Sequence, residues 1–351
     1  MSPKTFLAWL VVTAATVVAA VVVTLNQPGT TSVRLDNEPA LPTLRDNPDA
    51  VAALEIAGGG ECFTLARGEG DFWSAPEKHG YPVDASKVRT LIVGLSDMRL
   101  VEAKTANEER LGRLDLEDPD GPEAKSRLIT LKDADGGALA ELVVGKGLSR
   151  QTGRVEGGTY IRRREETQAW LASGRIEPGA SLDEWLDDDV VHLPSTSIRS
   201  VVMTPLEGAP IGLERADADG AFTLADLPEG RTLDASRASR LASGLAFLTF
   251  DDVKPRDQLD LAVVSHHGVF TDFGGLQVSV EIVPIEGEDW MIFEAVAVES
   301  EDQDEEVMKA VREKAEAIAE RVTPWAYKLP SYAIERLKTT FESLHKGPDA
   351  S

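Results

Sequence analysis

The sequence predicts an α+β protein: an N-terminal transmembrane helix, two related α+β units with largely antiparallel sheets, and C-terminal helices. Three observations carry that expectation. An uncharged apolar run lies at residues 6–25. Short stretches of alternating apolar and polar residues, separated by Gly- and Asp-rich turns, fill most of the body. A helix-like motif at 83–95 recurs at 233–245, an offset of 150 residues.

The apolar run is Phe6–Leu25, FLAWLVVTAATVVAAVVVTL, 20 residues without a charge. At about 1.5 Å per residue it reaches roughly 30 Å, one hydrocarbon core. A cleaved signal peptide is the competing reading. It would have a shorter apolar core and an Ala-x-Ala-like end, and Leu25-Asn26-Gln27 is no such site. An uncleaved anchor is therefore expected. Residues 1–5 carry Lys4 and are placed in the cytoplasm, with the bulk of the chain in the periplasm, since long hydrophilic domains translocate largely regardless of charge. That gives a single-pass protein of the cell inner membrane.

Residues 26–48 are rich in Pro, Thr, Asn and Asp and read as a linker. A first α+β unit is expected over 49–190, a second over 191–300 and a helical segment over 301–351. In the first unit, Ala53–Ile56 and Cys62–Ala66 read as strands joined by a turn at Gly58-Gly59-Gly60. That glycine run lacks any phosphate-loop pattern. Val83-Asp84-Ala85-Ser86-Lys87 then opens a helix, echoed by Leu233-Asp234-Ala235-Ser236-Arg237. Asp84 and Asp234 are suitable N-caps. Val88, Leu91, Ile92 and Leu95 share one face, as do Ala238, Leu241, Ala242 and Leu245. Gly94 matches Gly244 in the same register. Arg127–Lys132 and Ala138–Val144 form a hairpin about Asp133–Gly137, with Thr159–Arg163 as a further strand.

In the second unit, Ile198–Met203 and Ile211–Arg215 precede the helix. Leu276–Val283 and Trp290–Val298 form a later hairpin. Val307, Val311, Ala315, Ile318 and Val322 then make a helical stripe that stops before Pro324. Ile334, Leu337, Phe341 and Leu344 make another, with Ser331 as its N-cap.

Composition excludes several functions. Lys and Arg number 36 against 60 Asp and Glu, a net charge of −24, so nucleic acid is not an expected partner. The single cysteine, Cys62, excludes an intrachain disulfide and a Cys-rich zinc site. His266-His267-Gly268 reads as a turn, because neighbouring side chains on a strand rarely ligate one metal. Asp133-x-Asp135-Gly and Asp217-x-Asp219-Gly begin like calcium loops but lack the later ligands, and read as hairpin turns. The acidic run Glu299, Glu301, Asp302, Asp304, Glu305 and Glu306 suits a helix N-terminus, with calcium or partner binding as the alternative. Arg162-Arg163-Arg164 reads as solvated surface. Trp73, Trp170, Trp185 and Trp290 read as core or hairpin anchors. No catalytic, cofactor-binding or metal residue is assigned, and no cofactor is expected.

Several segments resemble the bacterial domain of unknown function 4340 family: Phe72-Trp73 with Tyr81-Pro82-Val83-Asp84; Thr159–Arg163 with Ala169-Trp170-Leu171 and Glu184–Asp187; and Phe222-Thr223-Leu224 with the 233–245 helix. The resemblance covers roughly 55–255. It implies one N-terminal membrane helix and an association with ABC-type transport components resembling those of gliding-motility systems. It transfers no catalytic residue. The second copy departs from the first where Leu224-Ala225-Asp226 stands for Phe72-Trp73-Ser74. The expected function is that of a membrane-anchored extracytoplasmic accessory or binding protein of an ABC-type transport system, non-catalytic, with transporter subunits as partners. A structural envelope protein, or a hydrolase with an unrecognised site, are the alternatives.

Overall fold

The structure, a computed structural model, describes residues 38–148, 157–261, 263–299 and 304–347. The expected membrane helix at 6–25 lies outside them. No helix among the described residues is long and apolar enough to cross a membrane. The fold is α+β, its sheets are antiparallel and helices occupy the C-terminal part.

The chain divides into two compact units. One comprises Ser86–Ala180 with the residues up to Thr64; the other comprises Leu65–Ala85 and Ser181–Ser351.

The first half of the chain supplies β1 (Ala53–Gly58), β2 (Glu61–Arg67), β3 (Trp73–Ala75) and β4 (Tyr81–Pro82), then the helix Ala85–Ser96. There follow β5 (Leu100–Ala103), β6 (Arg127–Lys132), β7 (Ala138–Leu148), β8 (Gly158–Arg163) and β9 (Trp170–Ser173). Their order in the sheet is β4-β3-β2-β1-β6-β7-β8-β9-β5. Gly59 and Gly60, at φ 63° and 83°, turn β1 into β2, as the glycine run predicts. The β6–β7 turn is held by Asp133, whose Oδ1 accepts from the amides of Asp135 and Gly137. Ile129 and Leu131 on β6 and Leu142 and Val143 on β7 are fully buried. Each such side chain contributes roughly 1.5–3 kcal/mol of apolar transfer. Residues 38–48 are ordered against this unit: Pro39 bridges Arg99, and the helix Pro42–Asp46 buries Leu44 completely.

The second half supplies β10 (Ile198–Pro205), β11 (Ile211–Glu214), β12 (Thr223–Leu224) and β13 (Thr232–Leu233), then the helix Ala235–Ala242. After it come β14 (Asp252–Pro255), β15 (His266–Asp272), β16 (Leu276–Ile285) and β17 (Glu288–Ala297). The helix Glu305–Val322, β18 (Trp325–Lys328), the helix Ser331–Leu337 and β19 (His345–Lys346) complete it. The sheet order is β12-β11-β10-β15-β16-β17-β18-β14, and β13 pairs with β19. Without β4, the first sheet has the same order, strand for strand, β3 answering to β12 and β5 to β14.

Both repeated helices begin immediately after their Asp. Their expected apolar faces are buried: Val88, Leu91, Ile92 and Leu95 in one, Ala238, Leu241 and Ala242 in the other, with Leu245 buried just beyond its end. Asp234 caps its helix by accepting from the amides of Ser236 and Arg237. Gly244 lies so close to the helix Ser331–Leu337 that an added Cβ would stand 2.6 Å from Leu337 Cδ2.

Four expectations are corrected. His266 and His267 are not a turn but the first residues of β15, paired with Ile282 and Glu281 of β16. Gly268 misleads there: it is a strand glycine, kept small by the Met203 and Val280 side chains pressed against its Cα. In the helix Glu305–Val322, Met308 is buried and Val307 is half exposed, because the stripe facing β16 and β17 is shifted by one residue at its start. Ser331 is the first helical residue rather than the cap; Pro330 takes the cap position and no side chain closes that turn. Arg162 is not merely solvated. Its guanidinium reaches the main-chain oxygens of Leu116, Arg164 and Glu166 and anchors the loop before β6.

The helix Glu305–Val322 is capped as its acidic start suggests. Asp304 accepts from the Glu306 amide at 2.8 Å, with Glu305 and Glu306 in the first turn. Glu301 and Asp302 lie outside the described residues.

Candidate functional site

The second unit carries an open cleft of about 720 Å³, a size that accommodates a small ligand or a short peptide segment. Three stretches far apart in sequence build it: His79, residues 255–261, and Thr323-Pro324-Trp325. Its floor is apolar, from Pro255, Leu259, Leu261, Pro324 and Trp325, and its rim is His79, Arg256 and Asp257.

Local chemistry explains each wall. Pro76 starts a 3-10 turn, Pro76–Lys78, and His79 closes it at φ 58°, in the left-handed region. The Lys78 ammonium, one residue earlier, pairs with Asp252 Oδ1 at 2.7 Å at the start of β14. Burial pushes the Asp252 carboxyl up, but the Lys78 ammonium and the Val253 amide outweigh it and hold the carboxyl below its usual range. The segment 76–79 is thus tied to β14, which leads into the cleft. Pro255 ends β14, and the Arg256 amide donates to the Pro324 oxygen at 2.8 Å, joining the two remaining walls. The Arg256 guanidinium is turned to Glu294 at 2.8 Å. Leu259 and Leu261 lie half-buried on the cluster of Val283, Trp290, Ile292 and Ala326, so the floor is continuous with the core.

Behind Trp325 stands an aromatic group. The Tyr81 ring lies 4.9 Å from Trp325, 5.5 Å from Phe250 and 6.2 Å from Tyr327, each edge to face. The Tyr81 hydroxyl donates to the Asp187 oxygen at 2.9 Å. Burial raises the pKa values of both phenols; the Tyr327 phenol is pushed up to about 12, and Tyr81 higher still. These groups stay neutral and brace the cleft wall.

The motifs singled out in the sequence do not meet here. Asp133 and Asp217 hold turns through their own neighbouring amides. Among the described residues, no cluster of three or more His, Cys, Asp or Glu could hold a metal ion. His79 alone among the histidines reaches the cleft, and its sequence neighbourhood gives no signal of it. Trp73, Trp185 and Trp290 are buried, as expected of core anchors.

Two antiparallel sheets of matching strand order, with a proline- and leucine-walled cleft in the second unit, define the class of the protein as α+β. The chain belongs to the DUF4340 family, a domain of unknown function, whose family model matches residues 73–263, just over half of the chain. The match begins at β3 and ends before β15, so it includes His79 and the 255–261 wall but not Trp325. No curated protein matches the chain.

Proposed function

We propose that this protein is a membrane-anchored extracytoplasmic accessory protein of an ABC-type transport system that acts by binding and not by chemistry. The run Phe6–Leu25 would be its single anchor, with the body in the periplasm of the cell inner membrane. The two sheets of matching strand order would descend from one duplicated unit, which supports the reading of the offset-150 repeat. The observation that carries the proposal is the cleft around Trp325. Its floor is apolar and proline-rich, and its one basic side chain nearest the floor is engaged by Glu294. Such a surface suits an apolar segment of a protein partner. A transporter subunit held in the same membrane would gain from high effective concentration, so a modest contact would suffice.

The test is co-purification of the full chain, tagged after Ser351, from mild detergent. A transporter subunit should be retained, and Leu261→Asp at the cleft floor should reduce its recovery. Recovery of the protein alone, with turnover of a small substrate abolished by His79→Ala, would favour the hydrolase reading instead. Alkaline extraction should leave the protein in the membrane fraction, and a phosphatase reporter at the same end should be active.

A further inference from the structure

A second concavity of the same unit, about 590 Å³, lies between the helices Ala235–Ala242 and Ser331–Leu337. It has the opposite character. Arg237, Arg240, Arg336 and Lys338 line it against a single carboxylate, Glu335, in a chain whose net charge is −24. We propose that this cleft binds the phosphate group of a small ligand.

The dipole of the two helices does not account for the cluster. Arg240 and Arg336 stand in last turns, where a cation is favoured, but Arg237 stands in a first turn, where it is not. Its natural partner, the cap carboxylate of Asp234, is already engaged. Asp234 takes the Lys346 ammonium at 3.0 Å and the Ser236 and Arg237 amides, leaving the Arg237 guanidinium a contact of 3.8 Å. Arg240 has no acceptor for its guanidinium among the described residues. Arg336 spends one donor on the Ser243 oxygen at 3.2 Å, which fixes its direction. Lys338 is neutralised by Asp289 at 2.6 Å and contributes least.

Three guanidiniums therefore converge with most of their donors unspent. A planar fork matches two oxygens of a phosphate, and a group with three terminal oxygens can engage more than one fork. A lone carboxylate offers two oxygens and one charge, fewer than the cleft can use. The Thr340 hydroxyl at the rim, which caps no backbone amide, adds a neutral donor. The first half of the chain lacks the cluster: Lys87 and Thr90 stand where the second has Arg237 and Arg240. The cleft is thus a property of the second copy, and it is independent of the proposed partner contact at Trp325.

Calorimetry on the full chain in detergent tests this, with pyrophosphate, glycerol 3-phosphate and glycerophosphoglycerol as probes and malonate as the carboxylate control. Binding of the phosphate probes should weaken about tenfold or more in the double variant Arg237→Ala/Arg240→Ala. Both side chains are exposed, so the fold should persist, and circular dichroism checks that. Arg199→Ala, an exposed arginine paired with Glu214 elsewhere in the unit, should bind as the parent does. Preference for the diester probe points to a lipid headgroup, and preference for pyrophosphate and glycerol 3-phosphate to a free phosphate. No heat with any phosphate probe at millimolar concentration overturns the proposal. So does malonate binding of equal strength, or binding unchanged in the folded double variant. None of these outcomes depends on whether a transporter subunit co-purifies.

Discussion

The Tyr81 hydroxyl donates to the main-chain oxygen of Asp187 at 2.9 Å. Two antiparallel contacts flank this bond: Val83 bridges Leu186, and the Asp187 amide donates to the Pro82 oxygen at 3.0 Å. Residues 81–83 are thereby stitched to 185–187. Tyr81→Phe should cost about 1–3 kcal/mol in urea unfolding, since it deletes a largely buried donor and leaves its acceptor unpaired. A change within experimental error would mean that water replaces the bond freely.

Alkaline titration should separate the four tyrosines. Tyr160 and Tyr332 are at least partly exposed, whereas Tyr81 and Tyr327 are buried and have raised pKa values, Tyr327 up to about 12. A raised folded-state value favours the neutral phenol. Its stabilisation is fully present below the ordinary tyrosine range, near 10, and is lost as pH climbs towards 12. Ultraviolet absorbance of phenolate should therefore rise in two phases, the second coinciding with loss of tertiary structure. A single phase near pH 10 with the fold intact would contradict this placement.

Leu241 is completely buried, and Leu91 occupies the matching turn of the other repeated helix. Leu241→Ala should cost about 2–5 kcal/mol. Gly244→Ala should destabilise by about 1–3 kcal/mol, because its new methyl meets Leu337 Cδ2. Denaturant midpoints check both. A Leu241→Ala loss below roughly 1 kcal/mol would show that the helix does not pack as described.

Lys346 holds the Asp234 carboxyl below its ordinary range, assisted by the Arg237 amide at the cap. A lowered carboxylate contributes stability above its unfolded pKa and loses it as pH falls through the folded value. Asp234→Asn keeps the cap acceptor and removes the charge. It should flatten the acid limb of the stability profile between the two values while leaving the helix capped. An unchanged acid limb would show that the Lys346 pair does not form.

Local pattern made much of this fold legible. The hairpins at 127–144 and 276–298 announce themselves through alternation and turn chemistry, and the repeated helices through their caps and apolar faces. What local pattern missed was decided by packing. Gly268 looks like a turn residue until Met203 and Val280 close over it. Val307 and Met308 are interchangeable in hydrophobicity, and the sheet beneath chooses between them. The clefts were illegible for a stronger reason. One gathers His79 with residues 255–261 and 323–325, the other joins residues 237–240 to 332–343, and each wall taken singly is an ordinary turn or helix face.

In each sheet, the strand after the repeated helix crosses to the far edge and pairs with the last strand made. β5 waits for β9, and β14 waits for β18. About seventy residues must be synthesised between such partners, so neither sheet closes early and both closures are slow, non-local steps. Tyr81, made in the first quarter of the chain, finds its ring partner Trp325 only near the end. A chain interrupted before residue 325 would leave β14 and β17 with bare edges, each a template for pairing with another molecule. Nascent chains of this protein thus carry an aggregation hazard until Trp325–Lys328 joins the sheet.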